Sequence, residues 1–471
     1  MAVPVVTVAQ MREWEKSTWA SGVSEKDVIE RVGRVVAERL LEMTLPGDAI
    51  LVLAGKGHNG DDARAAVPHL RERAVRGIEV TDPKRSLSLI EKELSTGPHW
   101  VVDGLFGIGL NRPLDEHWKA LIEKVNSSGV RVLAIDVPSG LNADTGKPEG
   151  AAIRAEVTLT IGAPKRAMLD AAEFVGRLEV AHDVGLVPCP VQSELQWTIA
   201  DDFKNVPPRR MVASHKGTYG HAVLFAGSVG YHGAAVLMAH GAQRAQPGLV
   251  TVYPRDTVYV PVAAQLQSAM VHPWTGDPVL PKTATAIGFG PGLAADDFPQ
   301  RDKDFLCSLW QKSSLPVLAD ASALSWLVPG PTSGMAVRVM TPHPGEAARL
   351  LGSSSAEVQS DRVGALRELS QRFGDCFVVL KGHQTLVGRS SGPVFINSSG
   401  NPYLAQGGSG DVLAGFLTGL LAQPELQSDP LVAIRYAVFE HGAAADRLSQ
   451  KCSNWTVEDL IIELGRKVLS L

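Results

Sequence analysis

Short apolar segments alternate with helical patterns along the whole chain. In the first half, glycine, proline or aspartate bounds each segment, and the segments lie at residues 49–54, 100–102, 130–135 and 157–161. In the second half they recur at residues 222–225, 249–252, 285–287, 317–318 and 377–380. Apolar runs of this length, separated by helices, are typical of strands in a parallel sheet that helices cover. The sequence therefore predicts an α/β protein.

The length of the chain and one change in its pattern indicate two domains. Residues 8–44 carry apolar residues at helical spacing and predict two opening helices, the second starting near Ser24 and Asp27. Between about residues 186 and 210 the periodicity weakens and several prolines occur among polar residues. Because 471 residues are too many for one ordinary core, we expect two α/β domains, residues 1–200 and 201–471.

The composition is that of an ordinary globular protein. Charged residues make up 20% of the chain and the formal net charge is −5, without the basic excess that nucleic-acid-binding proteins usually carry. No apolar run approaches the roughly 18 residues that cross a bilayer, and the first residues lack the pattern of a secretion signal. The four cysteines lie far apart without a C-x-x-C pair, which favours neither zinc nor redox chemistry. We expect a cytoplasmic protein without nucleic-acid or membrane partners.

Residues 401–415 combine a flexible turn, an acidic residue and a helix start. Gly407, Gly408 and Gly410 let backbone N–H groups crowd around an anion, and the apolar run after Asp411 predicts a helix whose N-terminus adds attraction. Asp411 is then placed to accept a proton from a substrate hydroxyl as it attacks a terminal phosphoryl group. The alternative interpretation is a tight turn with a helix N-cap.

In the first half, polar clusters follow three predicted strands. A glycine-rich loop at residues 55–62 follows the first, Asp103 and a flexible loop at 104–112 follow the second, and Asp136 and Ser139 follow the third. Ligands of open parallel sheets bind outside the carboxyl ends of the strands, so these clusters should converge. Separately, each aspartate can be a loop cap. Together they predict a ligand site.

These segments resemble the NAD(P)HX epimerases, which act on hydrated NAD(P)H. The family pattern joins a G-x-G-x-N-G-G-D loop, a D-x-L-F-G-x-G-L-x-R-P segment and a D-x-P-S-G segment, and its order and spacing agree over roughly residues 8–190. The resemblance implies a Rossmann-like, three-layer parallel sheet, with Asp136 as the acid/base residue. It implies a potassium ion held by Asn59, Asp103 and Ser139 through hard oxygen ligands. The implied substrate-binding residues are His58, Asn59, Gly60, Asp61, Asp62, Gly107, Ile108, Gly109, Leu110, Asn111, Arg112, Pro113 and Asp136.

The chain departs from this pattern at the first loop. Asp61 stands where the family has glycine, and Ala63 replaces the next glycine. A carboxylate beside a pyrophosphate adds like-charge repulsion, and loss of glycine restricts the backbone angles. His58 stands where asparagine is common, and both side chains can donate a hydrogen bond. The sequence therefore predicts a weakened epimerase site, or a first domain that only binds a dinucleotide or dimerises.

Further motifs occur in the second half. They are H-K-G-x-Y-G at residues 215–220, G-P-G at 290–292, T-P-H-P-G-E at 341–346 and K-G at 381–382. Alone, each can be a plain turn, with His343 a structural histidine and Lys381 a surface lysine. Together with residues 401–415 they resemble the ADP- or ATP-dependent NAD(P)HX dehydratases of the ribokinase-like superfamily, over nearly all of residues 210–471.

This second resemblance implies a three-layer, ribokinase-like domain that dehydrates the S form of NADHX or NADPHX. ADP is the expected co-substrate, with Mg²⁺, and AMP and phosphate are the expected products. In the implied mechanism the terminal phosphoryl group is transferred to the C6 hydroxyl of the hydrate and then leaves as phosphate. Ser322 replaces an aspartate of the family's D-A-D-A-L segment. The implied substrate-binding residues are Ala235, Gly292, His343 and Asp411, and the nucleotide-binding residues are Lys381, Gly382, His383, Gln384, Thr385, Gly407, Gly408, Ser409 and Gly410.

The two resemblances together predict a bifunctional repair enzyme, expected to be a homo-oligomer, that epimerises the R and S hydrates and dehydrates the S form. The alternative is a ribokinase-like kinase acting on a vitamin or sugar, with a non-catalytic first domain. The segment around His343 and the fused first half favour the repair enzyme.

Overall fold

The computed structural model describes residues 2–276, 278–294, 298–333 and 336–466. The chain forms two compact units, one of residues Val3–Glu194 and one that begins at Leu195. Both units are α/β, as the sequence predicts, and each contains one large sheet. In the described residues, none of the helices is long and apolar enough to cross a membrane.

The N-terminal unit contains a six-stranded parallel sheet with the order β3-β2-β4-β5-β6-β7. The strands of this sheet are β2 (Ala49–Ala54), β3 (Ala74–Glu79), β4 (Trp100–Gly104), β5 (Arg131–Ile135), β6 (Val157–Ile161) and β7 (Arg177–Ala181), and the short strand β1 (Val3–Pro4) lies outside it. Its helices are α1 (Val8–Ala20), α2 (Glu25–Met43), α3 (His58–Ala66), α4 (Pro83–Ser95), α5 (Glu116–Ser127) and α6 (Ala172–Val175).

Alternate residues of β2 show the three layers of this unit. Ile50 and Val52 belong to a core cluster that includes buried residues of α2 and α3. Leu51 and Leu53 belong to a second cluster that includes buried residues of α4 and α5. Successive side chains of a strand point to opposite faces of the sheet, so helices cover both faces. This explains why β2 is a continuous apolar run.

The C-terminal unit contains a sheet with the order β8-β17-β16-β15-β14-β13-β12-β9-β10-β11. Its pairs are parallel except β15–β16 and β16–β17. Its strands are β8 (Leu195–Trp197), β9 (His221–Phe225), β10 (Leu249–Tyr253), β11 (Met270–Val271), β12 (Ala286–Phe289), β13 (Val317–Ala319), β14 (Arg338–Met340), β15 (Phe377–Leu380), β16 (Leu386–Gly388) and β17 (Val394–Ile396). Its helices are α7 (His232–Arg244), α8 (Tyr259–Ala263), α9 (Gln300–Lys312), α10 (Pro344–Leu351), α11 (Ser355–Ser360), α12 (Arg362–Arg372), α13 (Ser409–Leu421), α14 (Pro430–Lys451) and α15 (Val457–Glu463).

Glycines bring α7 and α13 together with their backbones in contact. A Cβ atom at Gly415 would lie 1.9 Å from the carbonyl oxygen of Met238, and one at Gly241 would lie 2.2 Å from that of Val412. Real Cβ atoms do not approach backbone this closely, so each position requires glycine. Because α13 follows residues 401–408, this packing fixes the start of that helix against the rest of the unit.

We expect Gly415→Ala to destabilise the protein by about 1–3 kcal/mol, because the added methyl group overpacks a helix contact that has no room for it. The measurement is the free energy of unfolding of the full chain in urea. Gly233→Ala on α7 is the control, since nothing lies within 4 Å of its Cβ position. Equal stability of the two variants would contradict the close packing.

Candidate active sites

The three polar clusters of the N-terminal unit meet at the carboxyl ends of the parallel strands. Asp103 lies in β4 and Asp136 directly follows β5. A Cβ atom at Gly107 would lie 3.4 Å from Oδ2 of Asp136 and 3.5 Å from Cβ of Asn59, the second residue of α3. The loop of residues 107–113 therefore lies beside both side chains, and the predicted convergence of the clusters is present in the structure.

Asp103, Ser139 and Asn59 form a buried polar group behind that loop. Asp103 is fully buried, and its carboxylate accepts hydrogen bonds from Ser139 Oγ at 2.6 Å and from Ser139 N at 2.8 Å. Burial raises the pKa of Asp103 to about 6, against the effect of these bonds. Asn59 Nδ2 donates to the Phe106 carbonyl oxygen at 2.8 Å, whereas the buried Oδ1 of Asn59 has no hydrogen-bond partner. An orphaned buried amide oxygen has the chemistry of a ligand for a hard cation.

Lys165 lies under Asp136 and was not identified from the sequence. It is fully buried, and its Nζ donates to Asp136 Oδ1 at 2.5 Å, to Thr160 Oγ1 at 2.9 Å and to the Ile161 carbonyl oxygen at 3.0 Å. These three bonds use all the protons of the ammonium group. Asp136 has a left-handed backbone with φ 63°, a strained conformation for a residue that is not glycine. One oxygen of Asp136 is thus held from below, while Oδ2 faces the loop of residues 107–113.

Two more acidic side chains, Asp62 and Glu15, lie near Asp136. The pKa of Asp62 is raised well above its usual value by burial and then by the charge of Asp136. The pKa of Glu15, on α1, is raised by burial and then by Asp136. Arg12 of the same helix donates to the Ile108 carbonyl oxygen at 3.4 Å. Helix α1 therefore forms part of this site, which the sequence pattern of the three loops did not indicate.

The departures at the first loop have milder structural effects than the sequence predicts. Arg64 Nη2 donates to Asp61 Oδ1 at 2.6 Å, so a cation lies against the carboxylate that was expected to repel phosphate. Ala63 is a buried residue inside α3, a helical position that does not require glycine, so the expected backbone restriction is wrong. His58 begins α3 and its Nε2 lies 3.0 Å from Glu25 Oε1. Gly60 is required, because a Cβ there would lie 2.0 Å from the Gly55 carbonyl oxygen.

In the C-terminal unit, the glycine-rich loop (residues 401–408) leads directly into α13. Gly408 has a left-handed backbone with φ 97° and is the N-cap of the helix, which begins at Ser409. Asp411 lies in the first turn, where backbone N–H groups are unpaired and attract anions. Its pKa is raised to about 7, first by burial and then by the charge of Asp320, while Lys381 opposes the shift. The carboxyl group thus titrates near neutral pH, as suits a general base.

The long helix α14 supports the glycine-rich loop from behind. Asp446 accepts hydrogen bonds from Gly400 N at 2.9 Å and from Asn401 Nδ2 at 3.0 Å. His441 Nε2 lies 3.0 Å from the Ser409 carbonyl oxygen, and burial lowers the pKa of this histidine to about 4. The histidine is therefore neutral and donates to that oxygen. These contacts hold the loop in one conformation.

The lysine loop (residues 381–385) lies opposite the glycine-rich loop. A Cβ atom at Gly410 would lie 3.4 Å from Lys381 Nζ, which places the ammonium group beside the first turn of α13. Gly382 has φ 131° and Gln384 has φ 52°. The guanidinium group of Arg362 donates to the carbonyl oxygens of Leu380, His383 and Gln384, and so holds the loop in this shape.

The predicted substrate-binding residues of this unit differ in accessibility. His343 caps α10, and its Nδ1 accepts from Gly345 N at 3.0 Å, while Nε2 of this half-exposed side chain lies 3.6 Å from Glu346 Oε1. Gly292 has φ 66°, and a Cβ there would lie 2.6 Å from the Tyr231 carbonyl oxygen. Ala235 is fully buried, and a Cβ atom at Gly227 would lie 2.8 Å from Ala235 Cβ.

Comparison with known proteins agrees with both halves of the chain. A family model described as NAD(P)H-hydrate dehydratase matches residues 222–465. A model described as YjeF-related protein N-terminus matches residues 77–167. A ribokinase-like superfamily protein from Enterococcus faecalis, 23% identical, has a TM-score of 0.50 and covers 59% of this chain and 97% of that chain, which shows the fold alone.

Two relatives extend the similarity over nearly the whole length. The bifunctional NAD(P)H-hydrate repair enzyme Nnr of Coxiella burnetii is 33% identical over 94% of both chains. The enzyme of the same name from Escherichia coli is 34% identical over 85% of this chain and 81% of its own. These descriptions give no support to the alternative of a vitamin or sugar kinase. The chain belongs to the family of bifunctional NAD(P)H-hydrate repair enzymes.

Proposed function

We propose that the C-terminal unit removes water from the S form of NADHX or NADPHX at the expense of ADP, giving AMP and phosphate. We further propose that the N-terminal unit interconverts the R and S forms. One observation carries the proposal: a carboxyl group with a pKa of about 7, Asp411, lies in the first turn of a glycine-capped helix and beside Lys381. This arrangement combines a base with donors for a migrating phosphoryl group.

In the proposed dehydration, Asp411 accepts the proton of the C6 hydroxyl group as that oxygen bonds to the terminal phosphorus of ADP. The bond from this phosphorus to AMP breaks, and AMP leaves with its electron pair. Backbone N–H groups at the start of α13 and the ammonium group of Lys381 stabilise the charge on the transferred group. Phosphate then leaves C6 with the electrons of the C–O bond, the neighbouring ring carbon loses a proton, and the ring double bond is restored.

Magnesium is proposed to accompany ADP. Among the described residues, no group of three or more histidine, cysteine, aspartate or glutamate side chains is placed to hold a metal ion. The ion is therefore expected to bind mainly through the nucleotide phosphates, as Mg²⁺ usually does. Bound Mg²⁺ would offset the negative charge of those phosphates. Residues 381–385 and 407–410 are proposed to hold the nucleotide, and His343 and Gly292 the hydrate.

In the N-terminal unit, Asp136 is proposed to carry the proton that epimerisation moves. The carbon that bears the hydroxyl group in the hydrate is also bonded to the ring nitrogen, so inversion requires a bond at that carbon to break and re-form. Asp136 Oδ2 faces the loop of residues 107–113, while Lys165 holds Oδ1. The N-terminus of α3, with residues 58–62, and the loop of residues 107–113 are proposed to bind the substrate's phosphates.

A potassium ion is proposed to bind at Asn59, Asp103 and Ser139. The unpartnered Oδ1 of Asn59 supports this, because a buried amide oxygen without a donor is satisfied by a hard cation. A bound potassium ion would offset the charge of Asp103 and of a nearby pyrophosphate. The predicted homo-oligomeric state stays a prediction.

Asp411→Asn is expected to lower dehydration by about 10²–10⁴-fold, because it removes the base and keeps the shape. The measurement is the recovery of reduced nicotinamide absorbance from S-NADHX with ADP, alongside calorimetric binding of ADP, which should persist. Asp429→Asn, at the N-cap of α14, is the matched control and should keep full activity, since asparagine also caps helices. Turnover at the rate of the unsubstituted protein in Asp411→Asn would exclude Asp411 as the base.

Lys165→Met is expected to slow epimerisation by about 10²-fold, because Asp136 loses the group that fixes its orientation. A mixture of R- and S-NADHX with ADP serves as substrate, so that the R fraction reports on the N-terminal unit. The rate on the S fraction reports on the C-terminal unit and should not change, and the free energy of unfolding in urea is the control for folding. Lys124→Met, at an exposed position, is the control for loss of charge. Rapid consumption of the R fraction by Lys165→Met would contradict the proposed role.

Arg64→Gln is expected to weaken binding of the R hydrate, because Asp61 then faces the substrate's phosphates without its partner. This half-exposed pair is worth about 0.2–1 kcal/mol, so the KM for the R form should rise by at most about fivefold. Asp61→Gly alone should change KM little, and the double variant should return to the original value. A large gain in epimerase activity from Asp61→Gly would instead support repulsion by an unscreened carboxylate.

A further inference from the structure

Asp320 connects the ends of three neighbouring strands. Asp320, Thr341 and Lys381 directly follow β13, β14 and β15, which pair in parallel. Oδ1 of Asp320 accepts hydrogen bonds from Thr341 Oγ1 at 2.6 Å and from Lys381 Nζ at 2.8 Å. Asp320 is 1% exposed. Since a buried carboxylate is costly without partners, these bonds account for its presence there.

The same aspartate also lies under the G-P-G segment. A Cβ atom at Gly290 would lie 1.9 Å from the Asp320 carbonyl oxygen, so the backbones touch. Gly292, a proposed substrate-binding residue, is two positions further along. Asp320 therefore contacts the segment that carries Gly292 through its backbone and Lys381 of the lysine loop through its side chain.

Lys381 is the cation among several acidic groups. Burial lowers its pKa, but the charges of Asp320, Glu346 and Asp411 outweigh that effect and the pKa is raised overall. His441, on α14, also faces Lys381 and is held neutral by burial. Of the three acidic groups, Asp320 hydrogen-bonds Lys381 and Asp411 is the proposed base.

We propose that Asp320 is a positioning residue for the phosphoryl transfer, which holds Lys381 Nζ beside the first turn of α13 so that the ammonium group meets the transferred phosphoryl group instead of pairing with Asp411. The proposal rests on the proposed dehydration. When Asp320 holds Lys381 in this way, Asp411 stays free to accept the hydroxyl proton, and the ammonium group of Lys381 is fixed where negative charge develops.

The electrostatics give this arrangement a measurable signature. Asp411 acts as a base when ionised, so dehydration should increase with pH through its pKa of about 7. The charge of Asp320 raises that pKa and the charge of Lys381 lowers it. Removal of the Asp320 charge should therefore shift the acid limb of the pH profile to lower pH, and removal of the Lys381 charge should shift it to higher pH. A residue that only stabilises the fold would lower activity without moving the limb.

The test is the pH dependence of kcat for S-NADHX with ADP in the full chain. Asp320→Asn should lower the plateau by about 10–10²-fold, because Lys381 is no longer fixed. It should shift the acid limb of the profile to lower pH by about one unit, because the negative charge near Asp411 is lost. Lys381→Met should shift the acid limb to higher pH by a similar amount. Thr341→Val should lower kcat by a few-fold without moving the limb, since no charge changes.

Ser322→Ala, two residues from Asp320, is the matched control and should keep the original rate and profile. The free energy of unfolding of each variant in urea reports on folding. If Asp320→Asn fails to fold, Lys381→Met and Thr341→Val still test the proposal. An unmoved limb in Lys381→Met together with an unchanged kcat in Thr341→Val would overturn the proposal, as would an Asp320→Asn variant whose limb does not move. The proposed function itself fails only if the unsubstituted chain does not dehydrate S-NADHX with ADP.

Discussion

Parallel pairing of the strands is the constraint on which both sites depend. When neighbouring strands run in the same direction, the residues that follow them lie along one edge of the sheet. In the N-terminal unit this edge brings Asp103 and Asp136 together. In the C-terminal unit it brings Asp320, Thr341 and Lys381 together. Residues far apart in the chain thus become neighbours through the register of the backbone alone.

Both units place a lysine against an aspartate at that edge, with different consequences. Lys165 binds Asp136, the proposed proton carrier, and donates all three of its ammonium protons to protein groups. It therefore orients a carboxylate and offers nothing to a ligand. Lys381 binds Asp320, next to the proposed base, and its ammonium group lies beside the first turn of α13. The same pair of residue types can thus orient a reacting group or supply charge to one, depending on which aspartate the lysine contacts.

The strands that the sequence predicts are those with continuous apolar runs. Other strands are missed, and two of these, β3 and β14, carry charged residues. The edge strand β3 is mostly exposed and contains Arg76 and Glu79. In β14 the buried Arg338 donates hydrogen bonds to the Ser313 and Leu315 carbonyl oxygens, so a charge interrupts an otherwise apolar segment. Neither feature is visible as a strand signal, because each is stabilised by neighbours that are distant in sequence.

The sequence by itself determined the α/β class and the families that the chain resembles, and it indicated two candidate sites, because glycine loops and strand-end aspartates are local patterns. Tertiary structure alone decided which charges meet. It placed Lys165 under Asp136 and joined Asp320 to Lys381. Electrostatic effects depend on distance and burial, and neither can be read from spacing along a chain.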